Sequence, residues 1–323
     1  QSVDFCIIDN ASTDDTFEVV NQFQSLLHIR YLRNDHNVGL CNNIVNCITK
    51  AKGDFTWIIG DDDVILPDSI HTILDSIAMN PDVDFIGLPL GLLAESDIHN
   101  ALSAENCGEA LLASVVPENP ALLEFLSKLE GKTNRVIWDD LINPDFNSVF
   151  LGALMVSVFR TATAVGAAKK VNIQEGRLQF DDLSNSYPHS MIFAMKFVGK
   201  AALVLPSISV AAIRWEREWN PYLPLLVTRR LHDLLDLYEA SGVSRISVDR
   251  CRRMLFKYYH GPFWRIVLER DAKYRQDFSL RSQIAHYWMY PSFWKGICPQ
   301  LYLRKIWRTC IRTTKGKLKK IFS

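Results

Sequence analysis

The sequence predicts an α/β fold: a mostly parallel, Rossmann-like sheet with helices on both faces, followed by a helical, basic C-terminal region. Three observations predict it. Between residues 3 and 88, short β-branched and aromatic runs alternate with segments of helical apolar spacing, the pattern of a covered parallel sheet. Two of the strand runs end at acidic residues, Asp9 and Asp61–Asp63, and ligands bind at the carboxyl ends of strands in such sheets. Charge is also polarised: residues 1–100 carry 16 acidic and 4 basic side chains, whereas residues 201–323 carry 9 and 23. Such polarity suits one end that handles a cation and another that meets an anionic surface, or two solvated faces.

The elements follow in order. Val3–Ile8 reads as a buried strand ending at Asp9. Asn10–Asp15 is turn chemistry, and Asp15 with Glu18 fits a helix N-cap pair. Phe17, Val20, Phe23 and Leu27 then repeat at helical spacing. His28–Leu32 is the second strand, and Asn34–Gly39 a loop. Leu40, Ile44, Cys47, Ile48 and Ala51 share a helical face, with Gly53 at its end. Phe55–Ile59 is the third strand, and Gly60–Asp63 follows directly. Pro67 opens the next helix. Asp84–Leu88 is the fourth strand. Residues 94–147 show no period and read as an insertion. Ser148–Phe159 reads as a long strand, Pro188–Val198 as a helix, and 201–213 as strands. The expected divisions are 1–93, 94–220 with the insertion at about 94–147, and 221–323.

Composition narrows the class. Apolar content of 48% with 22% charge is that of a globular, not a disordered, chain. Seven scattered cysteines, none at CxxC spacing, argue against a disulfide framework or a zinc site and suit a reducing cytosol. No signal peptide is read, and the longest uncharged stretches, 146–159 and 201–213, fall short of the roughly 20 residues of a spanning helix. No GxGxxG follows a strand, which disfavours a dinucleotide-dependent dehydrogenase.

Gly60-Asp61-Asp62-Asp63 is the strongest chemical signal. Three adjacent carboxylates at a strand end repel one another unless a cation neutralises them. Oxygen ligands favour Mg²⁺ or Mn²⁺, and Mg²⁺ is commonly held by one or two carboxylates plus substrate phosphates. The same residues in isolation also suit a solvated turn.

The order of motifs carries a resemblance. Ile7-Ile8-Asp9-Asn10-Ala11-Ser12-Thr13-Asp14-Asp15-Thr16 resembles the "VDNxSxDxT" segment of family 2 glycosyltransferases. Arg33-Asn34 with Asn37-Val38-Gly39 matches their "RNxxNxG" loop, and Ala51-Lys52-Gly53-Asp54-Phe55 their "AxGxY/F". Gly60–Asp63 stands at their DXD motif, with Gly60 in place of its commonest first Asp, and Pro67-Asp68 matches the following "PD". Asn43, Asn46, Trp57 and the GDDD form are similar to the abequosyltransferase-like branch, which builds bacterial surface polysaccharides. The resemblance is strong over residues 3–90. It implies a GT-A-type fold, a nucleotide-diphosphate sugar donor and a divalent metal. Asp9 matches the carboxylate at the nucleotide base, with Asn10 beside it. Arg33 and Asn37 border the nucleotide pocket, and Asp61 matches the ribose position. Asp62 matches the metal-ligand position, with Asp63 as runner-up. The family's opening strand, "VSIIIPTYN", does not precede Asp9 here, so N-terminal truncation is expected.

The resemblance also implies single displacement with inversion, for which a carboxylate takes the acceptor's hydroxyl proton. Asp181 and Asp182, ahead of the helix at Pro188, are the candidates, and His189 is a second one. Arg214-Trp215 resembles the end of "QxxRW", but Ala211 stands where Gln belongs. In the tail, Leu303, Ile306, Trp307, Cys310, Ile311, Leu318, Ile321 and Phe322 share a helical face, and residues 301–323 hold eight basic side chains and no acidic one. That suits an anionic membrane surface and a peripheral place on the inner face of the cytoplasmic membrane. Tyr287, Trp288, Tyr290, Phe293 and Trp294 add interfacial aromatics. The acceptor is then a glycan or polyprenyl-linked glycan, and no nucleic-acid-binding motif is present. The alternatives are a non-catalytic nucleotide- or glycan-binding module and a nucleotidyltransferase, whose basic Gly-rich loop is not seen.

Overall fold

The computed structural model describes residues 2–129, 133–174, 176, 179–214, 219–268, 279–288 and 290–295. The expected tail helix, 301–323, and Trp215 lie outside the described residues. The class is α/β, as the alternation predicts.

β1 (Phe5–Asp9) pairs in parallel with β2 (Ile29–Arg33), joined by the helix Thr16–Phe23, and Asp9 stands opposite Arg33. Asp15 occupies the helix N-cap position without a side-chain bond; Asp14 accepts from the Thr16 amide instead, at 3.1 Å. A five-stranded sheet has the order β3 (Phe55–Trp57), β9 (Ser157–Arg160), β5 (Phe85–Gly87), β10 (Ala201–Val204), β8 (Asn134–Ile137). A four-stranded sheet has the order β4 (Asp63–Ile65), β11 (Val210–Arg214), β6 (Leu90–Ala94), β7 (Val116–Pro117). The two sheets share a spine. β5 pairs in parallel with β10, and the same two segments pair again beyond Pro89 and Pro206 as β6 and β11. Proline cannot donate to a ladder, so the ribbon breaks there.

Pairing is more mixed than the expected mostly parallel sheet. Among the described residues β1–β2, β5–β10 and β6–β11 are parallel, and the other pairings are antiparallel. Residues 94–147 take part in two of these antiparallel pairings, β8–β10 and β6–β7. They supply an edge strand to each sheet, β7 to the four-stranded and β8 to the five-stranded one. They also bury Trp138, Leu141 and Ile142 in the main core.

The core centres on Phe85, Phe159, Phe193 and Phe197, whose rings meet edge-on or tilted at 5.1–6.3 Å between centroids. Truncating one such ring to alanine costs about 3–5 kcal/mol. Ile44 and Ile48 of the helix Leu40–Lys50 seal one side of it. The aromatics expected at a membrane interface divide. Tyr287 and Phe293 are buried with Phe256, Phe263 and Trp264 in a separate cluster, while Trp288 is exposed.

Ser148–Phe159 is not one strand. Asn147, Ser148, Val149, Phe150 and Leu151 all take positive φ, 30° to 67°, and form a left-handed turn before β9. Each such non-glycine residue costs roughly 1–2 kcal/mol and persists only where contacts over-determine it. Here Tyr238 donates to the Phe150 carbonyl at 3.0 Å, and Ser190 to the Leu151 carbonyl at 2.8 Å.

Candidate functional site

Asp9 closes β1 with its side chain fully enclosed. Its Oδ1 accepts from the Ser12 amide at 2.8 Å. Its Oδ2 accepts from the Tyr31 hydroxyl at 2.5 Å and from Arg33 at 2.7 Å. The parallel register explains the meeting: Tyr31 and Arg33 face Ile7 and Asp9 across the pair. Ala11, at φ 62°, turns the chain so that the Ser12 amide points back at the carboxylate. Burial pushes the Asp9 carboxyl up, but the hydrogen bonds of Ser12 and Tyr31 and the Arg33 charge outweigh it, and the group sits below its ordinary range. Arg33 also donates to the Ser12 carbonyl at 2.6 Å, which clamps the loop.

An amide network continues from there. Asn10 donates to Asn37 at 2.9 Å and accepts from Asn34 at 3.1 Å and from the Val38 amide at 3.0 Å. Asn34 also donates to Asn43 at 2.9 Å, and Asn43 donates to the Ile8 carbonyl at 3.1 Å. The structure thus brings Asp9, Asn10, Arg33 and Asn37 into one unit. Sequence reasoning missed Tyr31, Ser12 and Asn34 as members. The two-residue spacing of Tyr31 and Arg33 on a strand was the available signal.

Gly60–Asp63 forms a tight turn between β3 and β4, with the Asp63 amide donating to the Gly60 carbonyl at 3.3 Å. The Gly60 amide donates to Asp63 Oδ2 at 3.1 Å. A Cβ placed on Gly60 would stand 2.6 Å from Asp62 Oδ1 and 3.1 Å from Asp63 Oδ2. Both carboxylates therefore fold over this glycine, and any side chain there must displace Asp62. Asp61 is exposed beside them. Among the described residues no group of three or more His, Cys, Asp or Glu side chains could hold a metal ion.

Asp181 and Asp182 lie in a turn ahead of the helix Pro188–Lys196. Asp182 Oδ1 accepts from Ser184 Oγ at 2.6 Å and from the Asn185 amide at 2.8 Å. Asp181 Oδ1 accepts from Asn185 Nδ2 at 3.2 Å. Arg230 holds the turn from behind, through the carbonyls of Phe180 and Asp181. The turn overlies the start of the helix Leu40–Lys50. Burial, and then the nearby Asp182, push the Cys41 thiol up to about 12. Asn42 bonds the Ile173 carbonyl at 3.3 Å in the same place.

His189 stands apart. It is buried, and its Nε2 donates to the Gly152 carbonyl at 3.2 Å. Burial lowers it to about 4, so it is neutral at pH 7. It lies against the residue that follows the left-handed turn, and its Nδ1 is buried with no hydrogen-bond partner among the described residues. Arg214 is exposed at the end of β11.

The comparisons with known proteins bear on this geometry. The family model "Glycosyl transferase family 2" matches residues 1–92. Abequosyltransferase RfbV of Salmonella typhimurium is 30% identical over 179 residues, 49% of this chain and 52% of RfbV. The chain thus spans about half the length of that relative. Among solved structures, S. aureus TarS 1–349 in complex with UDP-GlcNAc is similar at TM-score 0.48 and 14% identity, over 90% of this chain and 69% of that one. Mannosyltransferase PcManGT from Pyrobaculum calidifontis, in complex with GDP-Man and Mn²⁺, is similar at TM-score 0.43 and 12% identity, over 89% and 72%. The matched stretch, residues 1–92, holds the Asp9 network and the Gly60–Asp63 turn together, and it is this N-terminal part of the chain that is similar to glycosyl transferase family 2.

Proposed function

We propose that the chain moves a sugar, with inversion, from a nucleotide-diphosphate donor to a glycan or polyprenyl-linked glycan acceptor in bacterial surface-polysaccharide synthesis. One observation carries the reading: within the family-matched residues, a fully bonded Asp9–Asn10–Arg33–Asn37 unit accompanies two carboxylates folded over Gly60. The abequosyltransferase named among the relatives supports the substrate class.

In this reading residues 1–93 bind the donor, 94–220 form the acceptor side, and 221–323 are the helical, basic region. Asp9, Asn10, Arg33 and Asn37 shape the base pocket, with Asp61 at the ribose. Because the Asp9 carboxylate is already engaged by Tyr31, Arg33 and Ser12, it acts chiefly by holding the loop that faces the nucleotide. Asp62 and Asp63 fit a Mg²⁺ or Mn²⁺ ion, since two adjacent carboxylates completed by substrate phosphates are a usual set. Such an ion, when bound, offsets the charge of the departing diphosphate. Asp181 or Asp182 takes the proton of the acceptor hydroxyl, with His189 as the second candidate. The basic tail holds the chain at the inner membrane face, near lipid-linked acceptors. No helix among the described residues is long and apolar enough to cross a membrane.

A second reading, donor binding without turnover, is favoured by one fact: the Asp181 and Asp182 carboxylates already accept bonds from Ser184 and Asn185. The two separate in one assay. UDP-, GDP-, CDP- and dTDP-sugars are offered with polyprenyl-linked glycans in bacterial membrane vesicles. Transfer that disappears in Asp62→Asn supports the enzyme. Nucleotide binding with no transfer from any donor supports the module.

A further inference from the structure

Outside the residues assigned above, one carboxylate sits at a position the sheet register fixes. Glu118 follows β7, and its amide donates to the Leu90 carbonyl at 3.0 Å. β6 and β7 pair Gly91 with Pro117 and Leu92 with Val116, so Glu118 stands opposite Leu90. Leu90 is opposite Val210, and Val210 is opposite Ile65. By the same pairings Asp63 is opposite Ala212, Ala212 opposite Leu92, and Leu92 opposite Val116. Residues directly opposite in a sheet share a face, and so do residues two apart on a strand. Asp63 and Glu118 therefore stand on the same face of the four-stranded sheet, at its two edges. Three strand intervals put the edges about 14 Å apart. Between them lie Ala212, a small residue, and the half-buried Leu92.

Glu118 is held there. Its Oε2 accepts from the Ser148 amide at 2.8 Å, the head of the left-handed turn. Its other oxygen makes no hydrogen bond among the described residues. Beside it, Asn147 Oδ1 and Ser148 Oγ are buried polar atoms with no hydrogen-bond partner among the described residues. β9 runs antiparallel to β3 and β5, so the turn that precedes β9 lies at the carboxyl ends of both. That is the end from which Gly60–Asp63 emerges. Strain that survives at such a place points to a functional constraint.

We propose that Glu118 is the carboxylate that receives the proton of the acceptor hydroxyl, facing the Asp62–Asp63 turn across the floor of Ala212 and Leu92. The inference rests on the transferase reading and replaces Asp181 and Asp182 in the base role. In the step, the acceptor O–H proton passes to the open oxygen of Glu118. The freed oxygen bonds the anomeric carbon as the bond from that carbon to the diphosphate breaks, and the electron pair leaves with the nucleoside diphosphate. Burial raises the Glu118 carboxyl to about 7, near the pH at which a general base serves best. The hydrogen bond from the Ser148 amide offsets part of this rise. Tyr259 is the titratable group that feels its charge, and Asp145, ahead of the turn, is paired with Arg250 at 3.1 Å.

The test uses the full chain, with water as the acceptor. Release of nucleoside diphosphate from UDP-, GDP-, CDP- and dTDP-sugars is followed from pH 5 to 9 with Mn²⁺, and nucleotide affinity is measured in parallel by calorimetry. Glu118→Gln keeps an oxygen for the Ser148 amide but cannot take a proton. The expected result is unchanged nucleotide affinity, a rate lower by at least about 100-fold, and loss of the acidic limb near pH 7, while Asp182→Asn retains that limb. Glu118→Gln hydrolysing like the unmodified chain, with nucleotide binding intact, overturns this inference alone. Absence of nucleotide binding in the unmodified chain overturns the transferase reading, and this inference with it.

Discussion

The two carboxylates that flank the chemistry are built in opposite ways. Asp9 is enclosed and fully bonded: Ser12, Tyr31 and Arg33 take up both oxygens, and its carboxyl sits low. Glu118 has one oxygen committed, a largely buried setting and a carboxyl raised to about 7. Around Asp9 a single residue, Ala11, has left-handed backbone, whereas five in a row do so beside Glu118. The contrast matches the two roles proposed for these groups. A group that only holds a loop is best permanently charged and fully paired. A group that must exchange a proton needs its charge poorly supported.

Breaking the Asp9 side should have the largest effect. Asp9→Asn leaves Arg33 without its counter-charge and weakens three hydrogen bonds, so nucleotide affinity is expected to fall by about tenfold or more. Melting temperature falls too, and the pH dependence carries the sign. A carboxyl lowered on folding contributes stability above the ordinary carboxylate range and loses it as pH falls through the folded value. The gap between Asp9→Asn and the unmodified chain is therefore widest near neutrality and closes in acid.

Glu118 should behave in the reverse sense. Its folded value lies above the unfolded one, so its penalty is absent below about pH 4.5, grows up to about pH 7 and is constant beyond. Glu118→Gln is expected to stabilise the chain by about 1–2 kcal/mol at pH 8, after allowance for partial solvent access, and by nothing at pH 4. Thermal melts at the two pH values check this without any substrate. A gain independent of pH would mean that Glu118 is not in the buried setting described.

Two smaller changes sharpen the same contrast. Ser148→Gly relieves a positive φ and removes a buried hydroxyl that lacks a partner, while it keeps the amide that Glu118 holds. It should stabilise by about 1 kcal/mol. Ala11→Gly relieves a positive φ alone, and should gain less, about 0.5 kcal/mol. Denaturant melts rank the two.

The family-matched part, residues 1–92, was legible in the sequence because its information is local. β1, β2, β3 and β5 follow from short apolar runs, and the Asp9, Asn10, Arg33 and Asn37 positions from motif spacing. Tyr31 and Asn34 were missed because their roles depend on pairing between strands some twenty residues apart. The residues around Glu118 and the left-handed turn were not legible. β7 is two residues long, and Glu118 gains its setting from Ser148, thirty positions on. The apolar run at 148–159 reads as a strand from composition. Contacts from Ser190 and Tyr238 instead bend its first part into a left-handed turn. Residues 94–147 have weak periodicity because their edge strands and short helices pack on partners distant in sequence. The burial of His189 against the Gly152 carbonyl was likewise not legible, since nothing local in the sequence marks it.

The central claim is that the family-matched residues bind a nucleoside diphosphate through the Asp9 network and the Asp62–Asp63 turn. Calorimetric titration of UDP, GDP, CDP and dTDP, with Mn²⁺ and without it, tests that claim most directly, on the unmodified chain and on Asp62→Asn. The account predicts that one nucleotide binds in a Mn²⁺-dependent way, and that the Mn²⁺ dependence disappears in Asp62→Asn. Absence of binding by all four, or binding that neither Mn²⁺ nor Asp62→Asn alters, would contradict it.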